Sequence, residues 1–106
     1  MNTIVYKDQI IMKNLAALEQ TGEDGFATYH SGDTESGTKL MKASLKESAL
    51  NIRSIHDPVL QKQAKTLLHT ANQAIAEYIK NPSDSNMDTL QTDVENYKDF
   101  LSKNES

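Results

Sequence analysis

The stretch PVLQKQAKTLLHTANQAIAEYIK, residues 58–80, decides the fold class. Leu60, Ala64, Leu67, Ala71, Ala74 and Tyr78 step through it at intervals of 4-3-4-3-4, the two-in-seven seam of a helix that packs along its whole length. Leu68, Ile75 and Ile79 widen the seam into the broader face of a bundle helix. Punctuation marks the start. Pro58 disfavours helical geometry at Asp57 and suits the first turn of a new helix, whose orphan amides the Asp57 carboxylate can cap.

Downstream, residues 81–86 (NPSDSN) read as a compact turn with Ser85 as the cap of the next helix and Asp88 near its first-turn amides. That helix spans 86 to about 103 and places Met87, Leu90, Val94, Tyr97 and Leu101 at 3-4-3-4. The tail 104–106 is expected to fray. Upstream, a helix from about Thr38 to Ile55 carries Met41, Leu45, Ala49, Ile52 and Ile55 on one face, and His56 follows where an imidazolium would favour the helix C-terminus.

The first segment, 2–20, keeps helical spacing at Ile4, Ile11, Leu15 and Leu18, with Asp8 in a slot where the stripe wants an apolar residue. Its opening, Thr3 to Tyr6, is β-branched and aromatic and reads as an extended lead-in, with helix from about Lys7. Between the first two helices lie all four glycines, at 22, 25, 32 and 37, among Ser, Thr, Asp and Glu. That density predicts a Gly-rich flexible loop over 21–37, longer than the ~12–15 residues usual for structureless connections. The expectation is an all-α fold: a small antiparallel bundle of four helices in one domain, 1–106.

Composition excludes much. The chain has 106 residues, 15 Asp+Glu against 11 Lys+Arg, and no Cys. Absence of cysteine removes disulfides, thiolate metal ligands and a cysteine nucleophile. A net charge of −4 argues against nucleic acid. No apolar run approaches the ~18–20 residues of a membrane span and no signal peptide opens the chain, so a cytoplasmic location is expected. Leu, Ile, Val and Phe make up 22 of 106 residues, close to the ~20% below which highly charged chains stay disordered. The core is therefore thin, and a homodimer that enlarges it is one expectation.

No catalytic or cofactor motif appears. Serines sit in no GxSxG elbow, and the glycines form neither GxGxxG nor GxxxxGK[ST]. His30, with Glu23, Asp24, Asp33 and Glu35, is the nearest approach to a metal or acid–base site, but its spacing matches neither HExxH nor a calcium loop. His69 falls on the polar side of its helix. Two features suit a protein partner instead. Phe26, Tyr29 and His30 stand in otherwise polar sequence, either anchoring the loop or projecting as contacts. Lys39, Lys42, Lys46 and Arg53 share one helical face, and Asp88, Glu95 and Asp99 share another, charges that steer association and select register.

Residues 74–84 (AIAEYIKNPSD), followed by Leu90-Gln91 and Tyr97, resemble the helix–turn–helix of type III secretion needle subunits, over 24 residues and with the second helix one residue out of step. The resemblance implies a self-assembling structural subunit. In size and four-helix architecture the chain also resembles small immunity proteins of class II bacteriocins, without a shared motif. The reading is a non-enzymatic, cofactor-free protein-interaction module (adaptor, chaperone-like partner or inhibitor) that contacts its partner through Phe26, Tyr29, His30, Lys39, Lys42, Lys46 and Arg53. Self-assembly through the seams of the last two helices is the first alternative. A metal-dependent or enzymatic loop is the second.

Overall fold

The computed structural model describes residues 4–105 and contains four helices: α1 (Tyr6–His30), α2 (Thr34–Arg53), α3 (Pro58–Lys80) and α4 (Asp84–Lys103). They form two antiparallel hairpins, α1/α2 and α3/α4, laid against each other within 44 × 25 × 18 Å. Each helix neighbours two others, while the backbones of the diagonal pairs α1–α3 and α2–α4 stay apart. No helix is long and apolar enough to cross a membrane among the described residues.

The boundaries of α3 match the sequence. Asp57 accepts from Val59 and Leu60 N–H at 2.9 and 3.3 Å, with Pro58 in the first turn. Around it, one boundary needs correction. Helix α4 starts two residues earlier than its spacing suggested, because Ser83 rather than Ser85 is the cap and accepts from Asn86 N–H at 3.1 Å. At the C-terminus the Asn104 side-chain amide donates to the Phe100 carbonyl at 2.7 Å. At the other end Val5 is extended and Tyr6 is already helical; residues 1–3 and 106 lie outside the described range.

The largest correction concerns residues 21–37, which are not a loop. Helix α1 runs on to His30 and α2 begins at Thr34, so only Ser31, Gly32 and Asp33 connect them. Gly32 has φ 109°, a left-handed turn that L side chains adopt only at a cost. Asp33 then caps α2 by accepting from Ser36 N–H at 3.1 Å. The other glycines serve helix packing. A Cβ on Gly37 would lie 2.5 Å from Tyr29 N and 2.6 Å from Gly25 O, and one on Gly25 would lie 2.9 Å from Met41 N. The two backbones touch here, and Ser44 Oγ adds a 2.6 Å hydrogen bond to the Leu18 carbonyl. Consequently Gly37, Ser44 and Ser48 are the buried face of α2 with Ile52, while Met41, Leu45 and Ala49 of the expected stripe are half-buried.

The main core fills the opposite end of the bundle, where Met12, Leu15, Ile52, Ile55, Leu60, Ala64, Tyr97 and Leu101 pack together. Asp8 is fully buried beside it. Its two carboxylate oxygens accept from His56 N–H at 2.8 Å and Asp57 N–H at 3.1 Å, and His56 Nδ1 stands 3.6 Å away. From the other side Gln61 donates to the carbonyls of Ile52 and Arg53. The misfit in the α1 stripe is thus the residue that satisfies the α2–α3 connection.

Candidate functional site

Away from that core the hairpins part. A cleft of about 590 Å³ opens between them, lined by residues of all four helices. Its location follows from side-chain size. The α1 stripe continues through Glu19, Gly22 and Phe26, and the α2 stripe through Met41, Ser44 and Ser48. Glycines and serines draw α1 and α2 together but cannot reach across to α3 and α4. The apolar wall is made by Phe26, Met41, Leu45, Leu68, Ile75 and Val94.

The polar groups of the cleft converge from α1 and α4. Lys98 Nζ stands 3.1 Å from Glu23 Oε2, close enough to pair but out of line for a hydrogen bond, since that oxygen is buried with no donor among the described residues. Burial pushes the Glu19 carboxyl up to about 8, and Glu23 adds to the rise through a hydrogen bond and its charge. Glu23 moves the opposite way: the hydrogen bond from Glu19 holds it below the usual carboxylate range, with Lys98 assisting against burial. Lys98 is raised in turn, first by its contact with Glu23. Near neutral pH Glu19 therefore keeps its proton and shares it with an ionised Glu23.

Tyr97 joins core and cleft. Its ring belongs to the main cluster and is only 3% exposed, yet it also lines the cleft. Its hydroxyl is buried without a hydrogen-bond partner among the described residues. Burial raises its ionisation well above the ordinary tyrosine value, and the nearby Ser48 hydroxyl only eases this. An unpaired buried hydroxyl costs ~1–3 kcal/mol.

The residues expected to carry function fall in three places. Phe26 lines the cleft and packs against Tyr78 with centroids 5.8 Å apart; His30 stacks on both, at 4.6 and 5.5 Å. Tyr29 is half-buried under Gly37. Lys39, Lys42, Lys46 and Arg53 are all exposed and face away from the Ser44–Ser48–Ile52 side of α2. Lys39 pairs with Glu35 at 3.4 Å, whereas the other three make no ion pair among the described residues. The acidic face of α4 lies on the diagonal helix, so the two charged faces do not meet. His30, His56 and His69 are exposed and none lines the cleft. Among the described residues no three His, Asp or Glu side chains are placed to share an ion.

Glu19, Tyr97 and Lys98 were not singled out by the sequence as site residues, and Glu23 was named only in the group around His30. A signal did exist for the helix that aligns them. Positions 8, 12, 15, 19, 22, 26 and 29, at intervals of 4-3-4-3-4-3, keep α1 in register straight through the glycines. No protein-family model matches the chain, and neither the curated proteins nor the solved structures yield a significant match.

Proposed function

We propose that this chain is a non-enzymatic protein-interaction module, an adaptor, chaperone-like partner or inhibitor, whose partner presents an acidic surface to α2. One observation carries this: the outer face of α2 holds Lys42, Lys46 and Arg53 without ion pairs among the described residues, and the 45% exposed Leu50 sits beside Lys46 and Arg53. An apolar side chain flanked by cations gives an anchor together with charge selection. From Lys39 to Arg53 the strip extends about 21 Å at 1.5 Å per residue, the length of a short helix or strand. Phe26, Tyr29 and His30 close off the bundle end beside it, with His30 outermost. The seams of α3 and α4, which a self-assembling subunit would offer to neighbours, are spent inside this chain on Leu60, Ala64, Ala71, Ala74, Leu90 and Tyr97.

The test is site-specific photo-crosslinking at Leu50 in lysate of the source organism. The comparison is between the native chain and a Lys42→Glu/Lys46→Glu/Arg53→Glu variant of equal helicity. A discrete adduct lost in that variant, yet kept when Asp88, Glu95 and Asp99 on α4 are neutralised, supports the α2 face. An adduct unaffected by charge reversal, or none at all, overturns it.

A further inference from the structure

We propose that the cleft between the two hairpins binds a small organic amine, an ammonium head carried on an apolar body, with the head against Glu19, Glu23 and Tyr97. This is independent of the α2 face, which lies outside the cleft. Its dimensions and lining are those of a small-molecule site: about 590 Å³, apolar walls and a few convergent polar groups.

The polar groups select the head. Three carboxyls, Glu19, Glu23 and Glu95, line the cleft against one cation, Lys98, and α2 and α3 contribute no charged side chain to the lining. Among the described residues the buried Tyr97 hydroxyl has no hydrogen-bond partner, and Glu23 Oε2, though 3.1 Å from Lys98 Nζ, accepts no hydrogen bond. A carboxylate oxygen only accepts, and a phenol oxygen accepts as readily as it donates. An ammonium supplies several N–H donors and one positive charge, which answers the unpartnered Tyr97 hydroxyl, adds a donor beside Glu23 and offsets the excess of carboxyl. A carboxylate ligand would meet three carboxyls, and among the described residues a divalent ion would find no set of three His, Asp or Glu ligands. Glu19, protonated near neutral pH, can give up its proton when an ammonium settles beside it, because the bound cation compensates the charge that desolvation opposes.

The apolar body is fixed by the walls. Phe26, Leu68, Ile75 and Val94 present hydrocarbon from three helices, suited to an aryl or branched alkyl group several carbons long. A short hydrophilic amine has nothing to set against them.

The experiment titrates the whole chain with a matched series, phenylbutylamine, phenylbutanol and phenylbutyrate, followed by amide and methyl shifts in nuclear magnetic resonance. The amine should saturate shifts at Ile75, Leu68 and Val94, about tenfold tighter than the alcohol, the difference one charge-assisted contact gives. The acid should bind weakest. Glu19→Gln, checked for unchanged helicity, should reduce the amine-to-alcohol ratio, and Tyr97→Phe should weaken the amine while leaving the walls occupied. Methylamine should give no saturable shift. Equal affinity for amine and alcohol, preference for the acid, shifts mapping outside the cleft, or no saturable shift with any probe would each overturn the assignment.

Discussion

At the end where α2 hands over to α3, Met12, Leu15, Ile52, Ile55, Leu60, Tyr97 and Leu101 reach between the two hairpins and close the bundle. Toward the end carrying the turns 31–33 and 81–83, Gly22, Gly25, Gly37, Ser44, Ala71 and Ala74 hold the inward positions. Both ends exclude water from helix–helix contacts, by different means. Large side chains make one core shared by all four helices. Small ones let the helices of a hairpin touch backbone to backbone and leave nothing long enough to span the gap. The cleft is therefore a consequence of glycine and serine placement, and the thinness of the core is concentrated at one end.

The most damaging way to break the backbone contact between α1 and α2 is to give Gly37 a side chain. Gly37→Ala drives a Cβ into the Tyr29 and Gly25 backbone, which cannot swing aside. A loss of about 3 kcal/mol is expected, the upper end of overpacking. Gly32→Ala, with nothing within 4 Å of the new atom, should cost only about 1 kcal/mol through its left-handed backbone. Urea midpoints of the two variants compare them directly. Next comes Asp8→Ala at the closed end. It leaves the His56 and Asp57 amides without their acceptor, and a loss of about 2–3 kcal/mol follows from two unpaired, part-buried donors. Both effects should appear as lower denaturation midpoints with unchanged slope.

The glycines also show where sequence reading reaches its limit. Residues 58–80 were legible because Leu60, Ala64, Leu67, Ala71 and Ala74 declare their period in apolar letters and Asp57-Pro58 declares the boundary. Residues 21–37 were not. Each helical glycine costs about 1 kcal/mol of intrinsic propensity, so their density argues for a loop until a partner helix rewards the missing side chain. That partner, α2, offers Gly37 and Ser44, and only the fold brings them opposite Gly25 and Gly22. Asp8 was visible as a misfit, but the amides it serves lie 48 and 49 residues away. The cleft gathers residues from all four helices, and nothing in local spacing joins Glu19 to Tyr97. The exposed cations of α2 were legible, since a charged face needs only one helix to be recognised.

A smaller, pH-dependent effect sharpens the contrast at the cleft. Glu19 is raised from 4.5 to about 8 in the folded chain, so between those values the native state holds a proton that the unfolded chain has released. Stability from this group is complete below about 4.5 and is lost as pH rises toward about 8. Glu23, lowered from 4.5, acts with the opposite sign and below that window. Glu19→Gln should therefore flatten the fall in urea midpoint across the window, and its advantage over the native chain should grow with pH. An advantage that shrank with pH would remove the buried, protonated Glu19 from the account. The smallest effect is expected on the outer face of α2, where Lys42→Glu should change stability by no more than about 0.5 kcal/mol while weakening capture of an acidic partner.

The most direct measurement sets one leucine of the closed end against one isoleucine of the cleft. Leu15 is completely buried, whereas Ile75 is half-buried and lines the gap. Leu15→Ala and Ile75→Ala remove similar amounts of hydrocarbon, and their unfolding free energies are read from urea titrations under the same conditions. A bundle closed at one end and open at the other predicts a loss of about 3–4 kcal/mol for Leu15→Ala. The same asymmetry predicts less than about 1.5 kcal/mol for Ile75→Ala, whose side chain leaves no new enclosed cavity. Equal losses at both positions would mean that the hairpins are packed alike along their length, and would contradict the cleft and everything assigned to it.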